Sequence, residues 1–168
     1  MSTTPSIYVA CLSSYNNGIL HGVWIEATQE LDEINSAIQK MLKSSPMQDA
    51  EEYAIHDSDG FETAQISEYQ GIEQVQELAI CIEENGLLGA ELYNHFSSLE
   101  EAKTYLEDHY YGCFESVEDF AREITEQTSQ IPAHFEFYLD YSALARDMEL
   151  SGDIFTIQTN EGYHIFWG

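Results

Sequence analysis

SSPMQDAEEYAIHDSDGFETAQISEYQGIEQVQELAICIEENGLLGAELYNHFSSLEEA, residues 44–102, is the stretch on which the fold of this chain turns. It is 59 residues long, carries fourteen carboxylates and contains neither lysine nor arginine. Apolar residues recur throughout it, so it predicts folded structure with a solvated face of one sign, not an acidic tail. Ile72, Val75, Leu78, Ala79 and Ile82 fall at three- and four-residue steps, the stripe of a helix with one buried face. Glu73, Glu77, Glu83 and Glu84 populate its other faces. Like charges at i and i+4, such as Glu73 and Glu77, destabilise an isolated helix by roughly 0.2–0.5 kcal/mol, and no lysine is interleaved to offset them. Asn85-Gly86 predicts the helix end, with a second short helix from Leu87 to His95.

On the N-terminal side, Ile7–Leu12 reads as a strand, Asn16-Asn17-Gly18 as a turn and Ile19–Glu26 as the returning strand. Thr28 is placed to cap a helix whose buried stripe is Leu31, Ile34, Ile38, Met41 and Leu42. Lys40 and Lys43 suit its last turn, and Pro46 ends it. Tyr53–Asp57 predicts a third strand closed by an Asp59-Gly60 turn. On the C-terminal side, Ser98 with Glu101 has capping-box spacing ahead of Leu99, Ala102 and Leu106. Tyr110-Tyr111-Gly112 reads as a helix end and turn. Ser116 and Asp119 repeat the capping spacing before Val117, Phe120, Ala121 and Ile124. Pro132 is expected to open a helix reaching Leu139, Ser142–Leu150 to form another, and Ile154–Thr159 with Tyr163–Trp167 to form a hairpin about Asn160-Glu161-Gly162. The expected class is α+β: an elongated chain of three small domains, at 1–61 (a β-hairpin sheet with a helix), 62–104 (acidic and helical) and 105–168 (helices with a β-hairpin).

Across the chain, 31 acidic residues face Lys40, Lys43, Lys103, Arg122 and Arg146, for a formal net charge of −26 and a pI of about 4.1. Such a surface repels nucleic acid and anionic membranes and attracts basic partners quickly. No apolar run approaches ~20 residues, so no membrane span is expected. Cys11, Cys81 and Cys113 are odd in number and widely spaced, which suggests no disulfide framework; a cytoplasmic protein is the expectation. No cofactor or metal is called for. Aligning Gly60 with the turn glycine of a calcium loop puts Ile55 and Ile66 at ligand positions that require oxygen. The six histidines form no zinc spacing, and no nucleophile elbow is present. Adjacent carboxylates such as Glu51-Glu52 are expected by chance among 31 acids. An enzyme would need a convergent pocket that the sequence does not display.

Folding a domain with so many like charges costs stability, which suggests that the charge is itself the function. Duplex DNA carries one negative charge per ~1.7 Å of axis, so 26 charges correspond to about 44 Å, or roughly 13 base pairs, and a homodimer to about twice that. A protein that binds DNA through a long basic channel could accept this chain instead. The alternative is an acidic adaptor or chaperone for a basic protein, without DNA-like geometry.

The chain resembles the ArdA antirestriction family over nearly its full length. Tyr8-Val9-Ala10, Tyr15-Asn16 and Gly18-Ile19-Leu20-His21-Gly22-Val23-Trp24 resemble the family's opening hairpin. Glu52-Tyr53-Ala54-Ile55-His56-Asp57 with Gly60-Phe61 is similar to its second block, with Tyr53 where tryptophan is common. Tyr111-Gly112, Ser116 and Phe120-Ala121 resemble the third; Ile131-Pro132, Tyr138, Asp140-Tyr141 and Ala145-Arg146-Asp147 resemble the fourth. The resemblance implies three small domains, a homodimer joined through C-terminal segments, and a mimic of bent DNA that occupies the DNA groove of type I restriction–modification enzymes, in their methyltransferase core. It places the phosphate stand-ins among Asp49, Glu51, Glu62, Glu68, Glu73, Glu77, Glu83, Glu84, Glu100, Glu101, Glu107, Glu115, Glu118 and Glu126. It places the dimer interface at Phe135, Phe137, Tyr138, Asp140, Tyr141, Leu144, Arg146 and Asp147.

Overall fold

The computed structural model describes residues 3–168. The protein is α+β, and its chain falls into two compact units, the first ending at Leu99 and the second running from Glu100 to Gly168.

The first unit contains β1 (Ser6–Cys11), α1 (Leu12–Asn16), β2 (Gly22–Glu26), α2 (Leu31–Lys43), β3 (Tyr53–Asp59) and α3 (Ile72–Phe96). Its antiparallel sheet has the order β2-β1-β3. Ile7, Val9 and Cys11 alternate into a core shared with Ile34, Ile38, Met41 and Leu42 of α2 and Val75, Leu78, Ala79 and Ile82 of α3. Both helical stripes read from the sequence are therefore the buried faces. Phe61, Ala64 and Ala90 belong to the same core, so residues on both sides of the boundary expected near 61 share it. As expected, α3 is two helices joined at a break: Gly86 sits at φ 56° and ψ −141°, and the Asn85 side chain donates to the Cys81 carbonyl at 3.0 Å.

Two local expectations are corrected here. The chain does not turn straight back after β1 but forms the short helix α1, pinned where the buried Ser14 hydroxyl meets that of Ser45 at 2.9 Å. Gly18, at φ 73°, then redirects it, and β2 starts at Gly22 instead of Ile19. Gly22 is required: a Cβ there would lie 2.6 Å from the Val9 carbonyl oxygen and 2.7 Å from the Tyr8 ring. Helix α2 is preceded by Glu30, whose side chain makes no capping bond, so Thr28 is not its cap. Asp32 and Glu33 in its first turn and Lys40 and Lys43 in its last oppose the helix dipole as charge logic asks.

The second unit follows α4 (Leu99–Thr104) with a π-helical turn (Tyr105–His109), β4 (Tyr110–Phe114), α5 (Val117–Thr128), a 3-10 turn (Ala133–Tyr138), α6 (Tyr141–Ser151), β5 (Ile154–Thr159) and β6 (Gly162–Trp167). Its antiparallel sheet has the order β4-β6-β5. The terminal hairpin is as read from the sequence. Tyr110-Tyr111-Gly112 is a strand and not a helix end; it is held by cross-strand pairing of Tyr110 with Phe166 and of Gly112 with Ile165. The segment after Pro132 is a single 3-10 turn with no buried residue. Ser116 caps α5 by accepting from the Asp119 amide at 3.1 Å, and Asp140 caps α6 by accepting from the Ala143 amide at 2.9 Å.

Fully buried Phe120 centres this unit, with Tyr111, Phe114 and Trp167 around it edge-on at ring distances of 5.1, 5.6 and 5.8 Å. Four aromatic rings in mutual contact leave little freedom to close a void. Phe120→Ala is expected to destabilise the protein by about 3–5 kcal/mol, read as a lowered urea midpoint at unchanged slope; a loss below about 1 kcal/mol would mean the rings collapse into the space.

Candidate functional site

An ionised carboxylate is too strongly hydrated to be buried without a partner, and this chain has only five lysines and arginines for 31 acids. Thirty of the carboxylates are exposed; the remaining one, Glu91, is half-buried and accepts from the Thr63 hydroxyl at 2.8 Å. No acidic side chain is therefore committed to either core. The first unit carries sixteen of them against Lys40 and Lys43, the second fifteen against Lys103, Arg122 and Arg146.

All fourteen carboxylates singled out from the sequence are exposed. Asp49 and Glu51 lie in the loop between α2 and β3. Glu62, at a left-handed φ of 51°, and Glu68 lie in the loop before α3. Glu73, Glu77, Glu83 and Glu84 project from α3, and Glu100 and Glu101 from α4. Glu107 is on the π-helical turn, Glu115 between β4 and α5, and Glu118 and Glu126 on α5. Among them, Glu68 lies 3.7 Å from His56 and Glu118 3.6 Å from Arg122. Glu118 and Arg122 are both exposed, and such a pair contributes little.

The C-terminal apolar residues divide in two. Phe137 and Tyr138 are 93% and 83% exposed, and Phe135 and Leu144 are exposed beside them in sequence, as are Arg146 and Asp147. Tyr141 is instead buried, with the Arg122 guanidinium 4.7 Å above its ring, and Asp140 is occupied as the cap of α6. Arg122, Tyr141, Glu126, Ser129, Ile131 and Glu136 line a cleft of about 300 Å³.

Sequence reasoning missed a network around His164, a deeply buried titratable group of this unit. Its Nδ1 meets the Tyr110 hydroxyl at 2.9 Å and its Nε2 the Thr159 hydroxyl at 2.9 Å, with Cys113 Sγ and a Glu161 oxygen each at 3.9 Å. Burial holds the imidazole below its ordinary 6.5, against the pull of Glu161. The cross-strand register of β4 and β6 brings Tyr110 and Cys113 to His164 from 54 and 51 residues away, so no local spacing announces those two contacts. Also missed were Asp57 and Asp59, which line a cleft of about 550 Å³ with Ser6, Trp24 and Ser58 on the first unit. Among the described residues, no group of three His, Cys, Asp or Glu side chains is disposed to hold a metal ion, and no helix is long and apolar enough to cross a membrane.

A family model described as antirestriction protein (ArdA) matches residues 7–164 of this chain, nearly its whole length. No curated protein matches it.

Two outcomes are expected from this surface. Because the carboxylates repel one another through water, raising salt from about 0.01 M to about 1 M, which shortens the screening length from ~30 to ~3 Å, should raise the melting temperature; a fall would mean that attractive pairs dominate. His164 takes up a proton near 6.5 in the unfolded chain and at a lower pH when folded, so below that pH the unfolded state binds more protons and stability falls. The melting temperature is expected to drop from about pH 7 to about pH 5.5, still above the ordinary carboxylate range, and His164→Gln should flatten that slope.

Proposed function

The chain belongs to the ArdA antirestriction protein family, and from that premise we propose that it acts as a DNA mimic on type I restriction–modification enzymes. It occupies the basic channel in which the methyltransferase core holds its target duplex, and occupation alone prevents restriction, and modification with it, of incoming DNA. No bond is broken and no cofactor takes part. The stand-ins for phosphate are the exposed carboxylates from Asp49 to Glu126 described above. Two copies join through the segment containing Phe135, Phe137, Tyr138, Asp140, Tyr141, Leu144, Arg146 and Asp147, doubling the charge presented. The enzyme acts in the cytoplasm on entering DNA, and the inhibitor meets it there.

The observation that carries this reading is the exposure of the charge: thirty of the 31 acids are exposed across the two units, against five lysines and arginines in the whole chain. Fixed anions at high density are what a basic DNA channel recognises, because duplex affinity comes largely from phosphate neutralisation and counterion release. Negative charge also steers the inhibitor to that channel from a distance.

The test is displacement. Titrated into a type I methyltransferase core bound to labelled target duplex, the protein should release the duplex stoichiometrically, with an affinity that falls steeply as salt rises. Absence of displacement by folded protein would sink the mimic and favour an acidic adaptor. Since the energy is distributed, Glu77→Gln alone should weaken inhibition less than about threefold, whereas joint replacement of Glu73, Glu77, Glu83 and Glu84 by Gln should weaken it tenfold or more, each contact charge contributing up to about 1 kcal/mol. Loss of inhibition from a single such change, with the fold retained, would contradict distributed mimicry. For the dimer, Phe137→Asp with Tyr138→Asp is expected to halve the mass seen by light scattering; an unchanged mass would place the interface elsewhere.

A further inference from the structure

The open face of the first sheet carries an arrangement that phosphate imitation does not call for. Residues paired directly across antiparallel strands share a face. In one row, Tyr8 on β1 stands between Trp24 on β2 and Asp57 on β3; in the next, Ser6 stands between Glu26 and Asp59. The opposite face, with Ile7 and Val9, is the one buried beneath α2 and α3. Among the described residues the outer face has no such cover: Trp24 is 50% exposed, and Glu26, Asp57 and Asp59 are exposed. The Tyr8 and Trp24 rings lie 5.6 Å apart, tilted by 49°. Gly22, diagonal to Tyr8 on β2, leaves room for its ring, which a Cβ there would meet at 2.7 Å. Trp24, Asp57 and Asp59, with Ser6 and Ser58, wall the cleft of about 550 Å³. Asp57 gives one oxygen to the Ser58 amide at 2.8 Å. Neither Asp57 nor Asp59 is ion-paired within the described residues.

We propose that this face is a docking clamp for an arginine side chain of a basic protein partner. An aromatic floor attracts a cation through its π face, tryptophan best, and does so more often for arginine than for lysine. A guanidinium is planar and weakly hydrated; it stacks on a ring while its N–H fork reaches carboxylates in its own plane. Neighbouring strands lie ~4.8 Å apart, so Trp24 and Asp57 stand roughly 10 Å from each other across Tyr8, room for a guanidinium laid on the rings with its fork turned to Asp57 and Asp59. The net charge of −26 makes a basic partner the complementary one. DNA phosphates offer no ring face, so this contact adds a shape-dependent element to a surface that otherwise recognises charge alone. The clamp rests on the proposed inhibition only in taking its arginine from the enzyme's DNA-binding channel.

The probe is the peptide acetyl-Arg-Gly-Arg-amide, titrated into the isotope-labelled full chain at about 0.15 M salt, where exposed charges beyond ~8 Å are screened, and followed by amide and indole N–H chemical shifts. Saturable shifts are expected at the Trp24 indole and at Ser6, Tyr8 and Asp57 to Asp59. The lysine counterpart should bind several-fold more weakly, and the citrulline counterpart not measurably. Trp24→Leu, which leaves the net charge unchanged, should weaken binding about fivefold to tenfold. Asp57→Asn with Asp59→Asn should do the same, whereas Asp108→Asn with Glu123→Gln, the same charge change on the second unit, should leave it unaltered. Shifts spread evenly over the acidic residues of both units, equal binding of arginine and lysine peptides, or undiminished binding by Trp24→Leu would each overturn the clamp. Duplex displacement is scored separately: displacement without peptide docking removes the clamp alone, and docking without displacement removes the mimic alone.

Discussion

Mutual repulsion among ionised carboxylates is the constraint on which the rest of this structure depends. With 31 acids and five lysines and arginines, neutralisation within the chain is arithmetically impossible, so nearly every acid has to face water and the cores have to be held by other side chains. The first unit answers with aliphatic packing: Ile7, Val9, Ile34, Ile38, Leu78 and Ile82 are all at or near zero exposure. The second, smaller unit answers with rings, packing Tyr111, Phe114 and Trp167 about Phe120. Aromatic side chains bury more area per residue than aliphatic ones, which suits a sheet of three short strands that has few positions to fill.

The same constraint explains which features could be read from the sequence. A buried helix face must repeat at three and four residues whatever surrounds it, and the stripes of α2 and α3 are legible for that reason. So are the cap Ser116 and the break at Gly86, because each is dictated by a side chain or a backbone angle at the site itself. The exposure of the acids followed from their hydration. What stayed hidden depends on partners distant in the chain. Strand β4 looks like a turn until β6, about fifty residues on, supplies its ladder. Helix α1 looks like part of a hairpin until Ser45 meets Ser14. The His164 network and the row of Trp24, Tyr8 and Asp57 exist only once register is known, and a register shift between Tyr8 and Val9 makes that register impossible to read by simple alternation.

Charge segregation also separates what the protein is from what it meets. Antirestriction is the family's business, and a surface of solvated carboxylates can serve it without altering a single core position. The aromatic row on the first sheet stands apart from that logic, since Trp24 is a large apolar group left half in water among carboxylates.

The absence of lysine and arginine between Lys43 and Lys103 has a further consequence, in how the molecule can be cut and tagged. The loops at residues 44–52 and 61–71 are of the kind that proteases nick first. A protease that requires a basic residue finds none there, so this whole segment leaves a tryptic digest as one acidic fragment. Amine-directed labels and cross-linkers find no foothold in it either, and its one thiol, Cys81, is buried. Glutamate-specific proteases and carboxyl-activating reagents are the chemistry to which this part of the protein is open, and they would act on the very groups that give it its charge.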